Sequence, residues 1–160
     1  MPVLRDQEKA IGGIMSEDNI LIVDDEQNVI SALKRTLMEE PYAVYSAESA
    51  AEGLEILDRT KNIKVIVSDE RMPVVAGHEF LATVKDKFPN IIRIMLTGYA
   101  DINAAMKAIN EGEIYRFFSK PWNDTEIKFI IRSAIEKYDL EAENRRLLSI
   151  IRDNLDKEFL

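Results

Sequence analysis

The chain contains no cysteine, which excludes disulfides, zinc–thiolate sites and thiol nucleophiles together. It also lacks any apolar run approaching the roughly 20 residues that a membrane-spanning helix requires. The N-terminal stretch MPVLRDQEKAIGGIM has no continuous apolar core ahead of a small-residue cleavage site, so no signal peptide is expected. With no oxidising or membrane signature, cytoplasm is the default expectation. Positive charge is scarce as well. The formal net charge is −8 at pH 7, which argues against a broad nucleic-acid surface, because phosphate contacts need clustered Lys and Arg. The densest basic spot, Arg145-Arg146, is hemmed in by Glu141, Glu143 and Asp153 and reads as a solvated helix face. What remains is 160 residues, 46% hydrophobic and 31% charged, enough for one well-buried domain with a short appendage.

Residues 1–18 are polar, carry the Gly12-Gly13 pair and show no sustained period, so they are expected to form a loose arm. From Asn19 onward, short β-branched runs alternate with stretches of helical period. Strands are expected over 19–23, 42–46, 63–68, 91–96 and 114–119. Helices are expected over 27–40, 48–59, 77–87 and 101–110, the last capped by Asp101 and ended by Gly112. A fifth helix, capped by Asp124 or Thr125, meets no breaker before the C-terminus. Five β-α units in succession imply a parallel sheet covered on both faces. The expected fold is α/β, a flavodoxin-like doubly wound sheet of order 2-1-3-4-5 with an extended C-terminal helix. That order makes strands 1 and 3 neighbours at the switch point, where such sheets place their ligands.

The strand ends carry the chemistry. Asp24-Asp25 follow strand 1, Asp69 strand 3, Thr97 strand 4 and Lys120 strand 5. In a parallel sheet these ends open on one edge, so three carboxylates, a hydroxyl and an ammonium converge there. One acidic residue at a strand end is ordinary turn chemistry; five polar groups at matching positions are not. Clustered carboxylates repel one another unless cations intervene. Lys120 supplies one cation, and an all-oxygen site suits Mg²⁺ as the other. A carboxylate can act as a nucleophile that forms an acyl phosphate, and Asp69 stands alone at the end of the central strand. Asp24 and Asp25 are then metal candidates. Lys120 and Thr97 would hold phosphoryl oxygens.

The segments LIVDD (21–25), VSDERMP (67–73), LTG (96–98) and SKP (119–121) resemble those of two-component response-regulator receiver domains over about residues 19–135. The resemblance implies that Asp69 is the phosphoacceptor, charged by a sensor histidine kinase or phosphotransfer protein. It implies that Asp25 is a direct Mg²⁺ ligand, that Asp24 acts through a metal-bound water, and that the backbone carbonyl of Arg71 completes the site. It further implies a cis Lys120-Pro121 bond and a switch in which Thr97 moves inward and Phe117 follows. Phe117 stands where the family commonly has Tyr, so any hydroxyl-mediated part of that switch is missing. Gly98 stands where many receivers have Ala or Ser. Arg71 and Tyr99 occupy positions that tune phosphoryl lifetime in the family. The stretches 96–101 and 114–122 look like receivers attached to HD-GYP phosphodiesterases and to hydrogenase-regulating transcription factors.

A competing reading is a Mg²⁺-dependent phosphohydrolase working through an aspartyl phosphate. Haloacid-dehalogenase-type phosphatases place a second Asp two residues after the nucleophile, and here that position is Arg71, which disfavours an enzyme. The sole histidine, His78, is expected to be exposed; Met95 and Met106 are expected in the core, and Trp122 against the last helix. The expected organisation is an arm (1–18), a receiver (19–138) and a helical stalk (139–160) leading toward an output domain. Leu140, Asn144, Leu147, Ile151 and Asn154 follow alternating steps of four and three, the seam of a coiled coil with polar register-setting positions. A homodimer through this helix is therefore expected.

Overall fold

The computed structural model describes residues 18–158. The expected N-terminal arm lies outside these residues except for Asp18, which begins the first strand. Five strands, β1 (Asp18–Val23), β2 (Tyr42–Ala47), β3 (Ile63–Asp69), β4 (Ile92–Thr97) and β5 (Arg116–Ser119), form one parallel sheet in the order β2-β1-β3-β4-β5. The helices are α1 (Gln27–Thr36), α2 (Ala50–Arg59), α3 (Gly77–Lys87), α4 (Ile102–Asn110) and α5 (Asp124–Glu158). The fold is the flavodoxin-like one that the strand pattern implies.

Side-chain alternation along the strands divides the core into two layers. Ile20, Ile22, Val65, Val67, Ile94 and Leu96 face α1 and α5. Leu21, Val23, Ile66 and Met95 face α2, α3 and α4. β3 is buried along its whole length, as a central strand covered on both faces must be. Near its start the pairing with β1 jumps from Asn19–Ile63 to Ile20–Val65, which makes Lys64 an extra residue and breaks the alternation. The Lys64 ammonium reaches Asp18 and Asp139, each at 2.7 Å, and so joins the sheet to α5.

Several element ends differ from expectation for identifiable reasons. α1 stops at Thr36, four residues early, and tight turns follow: Met38 N–H donates to the Arg35 carbonyl and Glu40 N–H to that of Leu37. Acidic Glu39 and Glu40 are unfavourable at the negative end of a helix dipole, and Glu40 is instead buried against Arg132. Asp101 takes the expected N-cap position of α4, but it also closes a 3₁₀ turn (Tyr99–Asp101) and its carboxylate makes no cap bond, pairing instead with Arg71. Neither Asp124 nor Thr125 caps α5. Asn123 does, its side-chain oxygen accepting from Glu126 N–H at 3.0 Å. Met95 is fully buried, but Met106 is 52% exposed on the outer side of α4. Trp122 packs against the α1–α5 layer, with its indole N–H donating to Asp124 and Thr36.

α5 has two halves. Ile127, Ile130, Ile131, Ala134 and Ile135 are buried on the sheet, whereas Leu140, Leu147, Leu148, Ile150, Ile151 and Leu155 are exposed. Among the described residues no helix is long and apolar enough to cross a membrane.

Candidate phosphoryl and metal site

At the C-terminal edge of the sheet the chain must leave each buried strand through a short turn, and the polar residues stand there. Asp24 is fully buried. Its Oδ1 accepts from Glu26 N–H at 2.9 Å, which fixes the carboxylate and starts the turn into α1. Asp25 is exposed beside it. Asp69 ends β3 at 5% exposure. Lys120, just past β5, lies between the two buried acids, with Nζ 2.9 Å from Asp69 Oδ1 and 3.3 Å from Asp24 Oδ2. Its own N–H donates to the Thr97 carbonyl at 2.9 Å, and the Lys120-Pro121 bond is cis. Ligating oxygens of Asp24, Asp25 and Asp69 all come within 4.8 Å of one another.

The charges are poorly balanced, and the proton affinities show it. Burial pushes the Asp24 carboxyl above the usual carboxylate range, and the Asp69 charge adds to this against the Glu26 N–H and Lys120. Burial likewise raises Asp69, with Asp25 contributing and Lys120 opposing. Burial alone would lower the Lys120 ammonium, yet its hydrogen bonds and attraction to Asp69 and Asp24 outweigh that and raise it. One lysine among three carboxylates leaves room for a further positive charge.

Thr97, at the end of β4, is fully buried, and its hydroxyl donates to the Gly98 carbonyl at 3.1 Å. A side chain built on Gly98 would meet nothing within 4 Å, so the approach over β4 is open. Phe117 is half-buried on β5 opposite Met95, packed on the α2–α4 layer. The Arg71 guanidinium binds Asp101.

Two participants were missed from sequence. A Cβ on Gly77 would lie 2.0 Å from the Asp69 carbonyl oxygen, so only glycine lets α3 begin against the acidic strand end. Glu70, buried next to Asp69, accepts from His78 N–H at 2.9 Å and contacts the His78 ring, while its carbonyl accepts from Gly77 N–H. Glu70 thus closes the β3–α3 loop and supplies the cap that Ala76 cannot. The signal for Gly77 was its place at the mouth of α3 shortly after Asp69; Glu70 gave none. His78 itself is exposed.

Comparison with known proteins decides the family. The profile of the response regulator receiver domain matches residues 20–132. This chain belongs to the response regulator receiver domain family. Over 128 residues it is 38% identical to the hydrogenase transcriptional regulatory protein HoxA of Cupriavidus necator, covering 80% of this chain and 26% of that protein. A solved structure of adenylate cyclase from Rhodopirellula baltica superimposes with a TM-score of 0.79 at 36% identity, covering 84% of this chain and 98% of that one. The signal receiver domain of an HD domain-containing protein from Pseudomonas fluorescens Pf-5 gives a TM-score of 0.73 at 35% identity, with 78% and 98% covered. The chain spans about a quarter of the length of the curated relatives it matches. Receiver domains act in phosphorelay signalling as phosphoacceptor switches joined to output domains, and nothing favours the phosphohydrolase alternative. They bind Mg²⁺ at an acidic pocket. The all-oxygen set of Asp24, Asp25 and Asp69, short of positive charge and open on the Asp25 side, fits that ion.

Proposed function

We propose that Asp69 accepts a phosphoryl group from the phosphohistidine of a sensor kinase or phosphotransfer protein, and that this receiver thereby switches an output module. The observation that carries the reading is Lys120 lying between buried Asp69 and buried Asp24 at the strand ends. An Asp69 oxygen attacks phosphorus as the phosphorus–nitrogen bond of the donor breaks, and the imidazole leaves neutral, the freed nitrogen taking a proton from solvent. Lys120 is placed to take a phosphoryl oxygen, and Thr97, by exchanging its bond to the Gly98 carbonyl, to take another. Asp25 and the Arg71 carbonyl would hold Mg²⁺ directly, together with Asp69, and Asp24 through water. Bound Mg²⁺ neutralises charge on the transferring group. Inward movement of Thr97 then lets Phe117 turn into the vacated space and reshapes the face of α4, β5 and α5. Acetyl phosphate with Mg²⁺ should add one phosphoryl to the chain by mass spectrometry and none to Asp69→Asn. Equal labelling of that variant would overturn the assignment.

The same reading divides the chain into a receiver (19–138) and a stalk (139–160), cytoplasmic throughout, and makes it a homodimer. Support for the dimer is the apolar stripe of Leu140, Leu147 and Ile151, exposed on a helix that has left the sheet. Leu147→Glu with Ile151→Glu should convert a dimer to monomer in sedimentation equilibrium. A monomeric parent at high micromolar concentration would remove the dimer from the scheme. The relatives' names suggest an output such as a transcription-regulating module or an HD domain, which the sequence of the whole gene product would decide.

A further inference from the structure

The loop after β3 and the segment after β4 meet in one ion pair. Arg71 Nε lies 2.7 Å from Asp101 Oδ2, and the guanidinium also reaches Oδ1 at 3.4 Å. Asp101 stands where an Asp ordinarily caps a helix, directly before α4, yet its side chain makes no cap bond; it is committed to Arg71. The guanidinium feels a second carboxylate too, because Asp101 first and then Asp69 hold its proton affinity up. Arg71 follows the proposed phosphoacceptor on the loop after β3 and binds the residue that opens α4. A side chain built on Gly98, at the start of the segment that leads to Asp101, would meet nothing within 4 Å.

A phosphoryl group on Asp69 adds negative charge and acceptor oxygens at one of these two positions. Guanidinium binds phosphate oxygens as a planar fork, more strongly than it holds an exposed carboxylate. The Arg71 side chain is 74% exposed, so it can turn without leaving a packed site. We propose that Asp101 is a positioning residue that competes with phosphorylated Asp69 for Arg71. The Arg71–Asp101 pair is a latch holding the start of α4 in the unphosphorylated arrangement. Transfer of Arg71 to the phosphoryl oxygens releases the Asp101 carboxylate, and with it the 3₁₀ turn Tyr99–Asp101 that leads into α4. The phosphoryl group is thereby coupled to α4 along a route separate from Thr97 and Phe117. The proposal rests on Asp69 being the acceptor.

The test is the affinity of the whole chain for beryllofluoride, an aspartyl-phosphate mimic, measured by calorimetry with saturating Mg²⁺. Asp101→Ala removes the competitor and should tighten binding about 2- to 5-fold, the scale on which exposed ion pairs act. Asp101→Asn should do the same, which separates lost charge from lost packing. Arg71→Ala should weaken binding, and in that background Asp101→Ala should change nothing. The gain should shrink as salt rises. Unchanged or weaker binding in Asp101→Ala, or an equal gain when Arg71 is absent, overturns the latch. Failure of the unaltered chain to bind beryllofluoride at all would instead overturn the Asp69 assignment, and the latch with it.

Discussion

The two ends of the sheet each hold a lysine between two carboxylates, and they are built in opposite senses. At the C-terminal edge the acids are hidden and the base is reachable: Asp24 and Asp69 side chains are 1% and 6% exposed, Lys120 27%. At the N-terminal edge the base is hidden and the acids are wet: Lys64 is 5% exposed, Asp18 26% and Asp139 53%. Buried carboxylates pay desolvation that one ammonium does not fully offset, and a third acid, Asp25, worsens the balance. A buried ammonium held by two solvated acids has no such deficit. Burial alone would lower the Lys64 proton affinity, but hydrogen bonds to Asp139 and Asp18 raise it. The first arrangement is receptive to a further cation and the second is a clasp.

That contrast can be broken by measurement. The largest effect is expected for Lys120→Met, which strands two buried acids. It should cost about 3 kcal/mol in denaturant unfolding without divalent cation, with most of the loss recovered on adding Mg²⁺. Replacing Asp18 and Asp139 together by Asn takes two partners from Lys64 and should cost about 2 kcal/mol, unaltered by Mg²⁺. If Mg²⁺ restores both variants or neither, the two ends are not different in kind. The smallest effect concerns pH. Asp24 and Asp69 have raised proton affinity in the fold, so the folded state binds protons that the unfolded state has released. Metal-free stability should therefore fall as pH climbs from the ordinary carboxylate range through the raised folded values. Asp24→Asn should flatten that limb and gain about 1 kcal/mol at neutral pH. Both lysines are raised, so their contributions persist below the ordinary lysine value and disappear only as pH rises through the folded ones. A metal-free chain whose stability is level between pH 4 and 7 would contradict the acid limb.

Strand order, helix order and the convergence of Asp24, Asp25, Asp69 and Lys120 were legible because they depend on period and on where each strand stops. What was not legible depends on neighbours far away in sequence. Asp101 reads as a cap until Arg71, thirty residues earlier, takes its carboxylate. Met106 has the spacing of a core residue, but Ala105 and Ala108 are the α4 side chains that pack inward. Lys64 reads as an outward residue in an apolar run, and only the irregular pairing with β1 turns it toward Asp139. Gly77 is placed by the sequence at the start of α3, but its need is the backbone of Asp69 beneath it, which the sequence does not show.

The long last helix has a mechanical consequence. Its anchored part, from Ile127 to Ile135, is about 12 Å long, whereas Asp139 to Glu158 runs on for about 30 Å at 1.5 Å per residue. The rod is held near one end, with Asp139 clasped to Lys64 at the fulcrum. A shift of about 1 Å across the anchored span, the scale on which a side chain repacks, becomes roughly 2.5 Å at the far tip by simple gearing. A gap of 0.5–1 Å already forfeits about a quarter to a half of a van der Waals contact. A movement absorbed quietly inside the sheet is thus large enough to make or break packing at the end of the lever.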